Sequence, residues 1–192
     1  LIGSIGTALL PIVTAAHATG NRARVRALVG RAVMTVGLIG IPATAVLIPL
    51  APSLSLLLFA QPLTLRYAAL TGAAAVAMYY QMITSGLLNA LGLQNRSVLT
   101  AVLAEFVQLA LVLRWCSRPA LGIYGYLLAM LLSGAGAAFF NLAVLHHATG
   151  FALRPMRRLG LPLMCGAAAG LWTRLFALLF SAHVASPVLA LA

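Results

Sequence analysis

TALLPIVTAAHATGNRARVRALVGRAVMTVGLIGIPATAVLIPLAPSLSLLLF, residues 7–59, decides the fold. An apolar run ends near Ala16, a short arginine-rich stretch follows, and a long apolar run then carries Pro42, Pro49 and Pro52. Arg22, Arg24, Arg26 and Arg31 lie close together with no acid nearby to pair with them. Charge held between two lipid-length apolar runs is the pattern of a cytoplasmic loop in a multi-pass membrane protein. Such loops keep arginine because moving it across the bilayer is costly and anionic headgroups on that side attract it. A nucleic-acid patch needs soluble flanks, and these flanks would not dissolve, so nucleic acid is not expected as a partner.

The composition extends that reading to the whole chain. Of 192 residues, 63% are hydrophobic and 7% charged, where a soluble domain has about a quarter of its residues charged. The net charge of +11 comes from twelve basic residues, all arginine, against one acid, Glu105. The two cysteines, Cys116 and Cys165, have neither ligand spacing nor a disulfide framework. No signal peptide is legible, since Leu1 already lies in an apolar run. The chain opens without methionine and stops within an apolar run, which reads as a fragment of a longer protein.

A bilayer core of about 30 Å takes about 20 helical residues. The expected fold is therefore all-α, a single polytopic transmembrane domain over 1–192 with about six spans plus the start of a seventh. A partial helix ends near Ala16. Spans follow at about Ala32–Phe59, Tyr67–Leu91, Ser97–Leu113, Leu121–Leu145 and Leu159–Phe180, with another starting near Val188. The odd-numbered loops hold Arg22, Arg24, Arg26, Arg31, Arg96, Arg154, Arg157 and Arg158; the even ones hold Arg66, Arg114 and Arg118. That asymmetry places the odd loops in the cytoplasm and Leu1 toward the outside of a plasma-membrane protein.

No enzyme constellation is present, because one acid allows neither a carboxylate pair nor a serine–histidine–acid set, and no phosphate loop occurs. No metal or cofactor is expected, and His146 and His147 read as surface residues at a helix end. Polar residues inside the spans are costly and so draw attention. Gln81, Ser85 and Asn89 recur every four residues and share one helix face, either a hydrophilic cavity wall for sugar hydroxyls or a set of interhelical hydrogen bonds. Glu105 lies about 10 Å inside the fourth span, with Gln108 on its face. Arg174 is the one arginine inside a span. Pro162, Gly166, Gly170 and Arg174 recur every four residues, so Arg174 should share the small-residue face that packs on another helix.

These residues resemble a known family. Thr7 through Leu10-Pro11 to the Arg22–Arg31 stretch, Ile41-Pro42 and Leu57-Leu58-Phe59 resemble the stage V sporulation protein B family of polysaccharide-biosynthesis flippases. Gly86-Leu87-Leu88-Asn89-Ala90-Leu91-Gly92 before Arg96, and Gly122-Ile123-Tyr124-Gly125 followed by Ala129, agree with it. The superfamily also contains lipid II flippases and multidrug/toxin-extrusion antiporters. The resemblance, from about Ser4 to Arg158, implies most of the C-terminal lobe of a two-lobed bundle. It implies translocation of lipid-linked sugars by alternating access, with membrane lipid, the substrate and an N-terminal lobe as partners. It carries no catalytic residue over, since the shared motifs are packing and turn signatures. An antiporter of the same fold, which usually needs membrane carboxylates, and a non-transporting scaffold are the alternatives.

Overall fold

The computed structural model describes residues 2–60, 64–118, 121–150 and 160–189, with side chains for 9–60, 64–118, 121–150 and 160–176. Among these residues the fold is all-helical: α1 Ile2–Ala18, α2 Arg22–Phe59, α3 Leu65–Ala90, α4 Gln94–Cys116, α5 Gly122–Thr149 and α6 Gly160–Leu189. In the described residues α2, α4 and α5 are long and apolar enough to cross a membrane. These three, among the described residues, are candidate spans by length and composition. α1 contributes only a shorter apolar helix. α3 has the length, but Tyr79, Tyr80, Gln81, Thr84 and Ser85 dilute its hydropathy.

Two boundaries correct the sequence reading. The arginine stretch is not a loop: α2 begins at Arg22, so Arg22, Arg24, Arg26 and Arg31 all lie on its first turns. Arginine is a good helix former, and the Asn21 side chain accepts the Arg24 N–H at 3.0 Å, capping the helix start. The connection shrinks to Thr19–Asn21, where Gly20 takes a left-handed φ of 68°. At the other end, α6 runs unbroken to Leu189, so the seventh span expected near Val188 is the end of the same helix. Arg154, Arg157 and Arg158 lie outside the described residues.

The helices form a row in the order α6, α2, α3, α5, α4, with α1 in the groove between α2 and α3. Each neighbour in the row is joined through a different chemistry. Between α2 and α6 the contact is one of small residues. A methyl group at Gly37 would overlap the Tyr80 hydroxyl and lie 3.1 Å from Pro162. One at Gly166 would lie 2.7 Å from Ile41 Cγ2, and one at Gly170 would lie 3.2 Å from the Ala45 carbonyl. Gly37, Ile41 and Ala45 on α2 thus meet Pro162, Gly166 and Gly170 on α6 as two rows of every fourth residue. Missing side chains let the backbones approach closely, which is how helices adhere where burial from water supplies no force. Pro49 has no N–H, so the Ala45 carbonyl lacks its usual i+4 donor inside α2, and it faces Gly170.

The buried centre lies where α1, α2, α3 and α5 meet. Val13, Val29, Val36, Leu87, Leu88 and Leu145 are almost fully enclosed there. The outer surface is apolar too: Leu57, Phe59, Phe106, Phe139, Phe140 and Trp172 are all exposed. At the α2–α3 and α4–α5 end, Tyr67 and Tyr124 meet edge to face with centroids 6.5 Å apart.

Candidate functional site

The α3 face singled out in the sequence divides along its length. Ser85 Oγ accepts the Asn141 side-chain N–H from α5 at 2.9 Å. Thr84, one residue earlier and fully buried, donates its hydroxyl to the Tyr80 carbonyl at 2.7 Å. With its proton engaged, that oxygen accepts from Asn141 Nδ2 at 3.3 Å. Gln81 is half-buried beside Gly134 of α5, and Asn89 is exposed. Gln81 and Ser85 therefore turn toward α5, while Asn89 does not.

Asn141 was missed in the sequence, although the same criterion, a polar residue inside an apolar run, identifies it. It is 1% exposed, and among the described residues its Oδ1 has no hydrogen-bond partner. The Tyr80 hydroxyl, buried at the junction of α2, α3 and α6, has none either. Such groups cost about 1–3 kcal/mol when left unpaired. Further along α5, Ser133 donates to Gln108 Oε1 of α4 at 2.8 Å. The side-chain hydrogen bonds between α3, α5 and α4 thus run through Thr84, Ser85, Asn141, Ser133 and Gln108.

The remaining candidates stand apart. Because α4 begins at Gln94, Glu105 lies about 16 Å from the start of its helix. It is exposed. Arg174 is also exposed, on α6 at the far end of the row. The α2–α6 ladder opens at its position, since Pro162 and Gly166 are buried, Gly170 is half-buried and Arg174 is free of the contact. With α6 running to Leu189, Arg174 is about 22 Å from that helix end, farther than the sequence reading placed it. The structure therefore brings Gln81 and Ser85 together and leaves Asn89, Glu105 and Arg174 separate.

Arg22, Arg24, Arg26 and Arg31 are all exposed. Arg26 Nε donates to the Thr149 carbonyl at the end of α5, at 3.3 Å. Among the described residues no group of three or more histidine, cysteine or acidic side chains is placed to hold a metal ion. Cys116 and Cys165 are free thiols, both exposed. No family model, no curated protein and no solved structure matches the chain.

Proposed function

We propose that the chain is a membrane-embedded lobe of a flippase-like transporter, moving a lipid-linked oligosaccharide or polysaccharide precursor across the plasma membrane by alternating access. The observation that supports this best is that polar groups are kept inside a bundle whose outside is apolar. Gln81, Ser85 and Asn141 are withdrawn from a surface of leucine and phenylalanine. A helix bundle with no need for polarity would replace them at a saving. Arg174 supplies a guanidinium suited to bidentate contact with a pyrophosphate, or with a carboxylate of an N-terminal lobe.

Two experiments test the reading. In intact cells Cys116, at the end of α4, reacts with a membrane-impermeant thiol reagent, while Cys165 stays shielded by lipid. Labelling of Cys116 only after permeabilisation inverts the topology. In the complete transporter, Arg174→Leu abolishes transport with insertion unchanged, and Arg174→Lys restores part of it. Full transport by the leucine variant refutes a phosphate or carboxylate contact. An antiporter would depend on Glu105, the single carboxylate, and Glu105→Gln separates the two readings by losing ion coupling alone.

A further inference from the structure

The four α2 arginines do not face one way. Arg22 and Arg26, four residues apart, flank the side of α2 that carries the buried Val25 and Val29. Arg24 and Arg31, seven apart, share the opposite side. On the inward side lies a cleft of about 450 Å³ where the ends of α1, α3 and α5 meet the start of α2. Its lining includes His17, Arg22, Val25, Leu91, Leu93 and Thr149. That volume falls within the range of small-molecule pockets. Arg26 closes one side through its bond to the Thr149 carbonyl. The cleft is two-faced in chemistry: Val25 and Leu91 are buried beneath it, while His17 and Arg22 are exposed at its rim.

The rim has no counter-ion within the chain. The sequence holds one acid, Glu105, and it lies about 16 Å along α4 from this end. Among the described residues neither the His17 ring nor the Arg22 guanidinium is engaged in a hydrogen bond or ion pair. Neutrality at this rim is left to an anion from outside. Guanidinium matches the paired oxygens of phosphate, and the Val25–Leu91 floor offers apolar surface directly behind it.

We propose that this cleft binds a phosphate group, that of an anionic phospholipid headgroup whose first acyl carbons lie over Val25 and Leu91. The proposal rests on the membrane reading above, with this end at headgroup level. It differs from general attraction of a basic segment to an anionic surface, which acts on all four arginines alike. A built site distinguishes Arg22 from Arg31.

The test is to place the full chain in phosphatidylcholine nanodiscs containing a minor fraction of phosphatidic acid, extract it in mild detergent and quantify the retained lipid. Wild type retains phosphatidic acid in preference to phosphatidylcholine. Arg22→Gln lowers that preference by about fivefold or more, and Arg31→Gln, with the same charge change, by less than about twofold. Arg22→Lys falls between wild type and Arg22→Gln. Equal losses in Arg22→Gln and Arg31→Gln, or no preference in wild type, overturn the site; unchanged helical circular dichroism excludes misfolding as the cause. A second arm adds inorganic phosphate to the detergent-solubilised protein at fixed ionic strength. Competition between phosphate and phosphatidic acid, lost in Arg22→Gln, supports one shared site. Stabilisation by phosphate without retention of phosphatidic acid overturns the lipid as its source. Failure to enter nanodiscs overturns the membrane reading, while the detergent arm still decides whether the cleft binds phosphate.

Discussion

The α2–α6 and α3–α5 contacts join helices of similar apolar character by different means. α6 meets α2 through Pro162, Gly166 and Gly170 against Gly37, Ile41 and Ala45, a contact of small side chains and backbone. α5 meets α3 with small residues as well, Gly134 beside Ala77, and adds Asn141 bonded to Thr84 and Ser85. In lipid, shape can be imitated by many small-faced helices, whereas a buried amide accepts only partners that offer hydroxyls at its own depth. The first contact therefore supplies adhesion, and the second fixes register.

The largest expected effect lies in the first contact. Gly166→Val drives a branched side chain into Ile41, whose Cγ2 is already 2.7 Å from the position of a first methyl group. Isoleucine is stiff at χ1 and cannot swing aside. The expected loss is about 3 kcal/mol, read as a lower midpoint of thermal unfolding in detergent and as release of α6 to protease. A variant as stable as wild type would mean that close backbone approach is not what holds α6.

Asn141→Leu keeps the number and branching of the side-chain heavy atoms and removes the hydrogen bonds. The expected loss is about 1 kcal/mol, the usual worth of an interhelical hydrogen bond in lipid. A double-mutant cycle with Ser85→Ala isolates it. Coupling near zero would reduce α3–α5 to a second shape-only contact and end the contrast.

Tyr80→Phe is the smallest change and the sharpest boundary. Its hydroxyl is buried without a partner beside Gly37 and Pro162, on the apolar side of the row. Removing it is expected to leave stability unchanged or raise it by up to about 1 kcal/mol. A clear loss in the same unfolding measurement would show the hydroxyl to be engaged, and the polar chemistry would then extend across to α2.

Much of this was legible from the residues one segment at a time. Hydropathy located α2, α4 and α5 because a lipid-length apolar run favours a membrane-spanning helix. It failed at Arg22–Arg31, where charge was read as loop although arginine favours helix and Asn21 supplies a cap. It failed again near Val188, where a truncated apolar run resembles a new span. Gln81 and Ser85 were found because polarity inside a span is conspicuous. Their partner was not, since helical periodicity states which residues share a face and not which helix that face meets. Glu105 and Arg174 were legible as charges in apolar runs, but only the packing order places them on helices at opposite ends of the row.

That packing order has a consequence in time. Among the described residues α6 packs chiefly along α2, and the two are far apart in the order of synthesis. Pro162 leaves the ribosome about 125 residues after Gly37, which at 5–20 residues per second is roughly 6–25 s. For that interval the Gly37–Ile41–Ala45 face stands open in the nascent chain, together with the Ala45 carbonyl that Pro49 deprives of its usual helical donor. Every helix inserted meanwhile passes a vacant small-residue face before its native occupant exists. Ser85 and Asn141, which bond α3 to α5, are both synthesised before Pro162, so that contact has its partners before α6 has emerged.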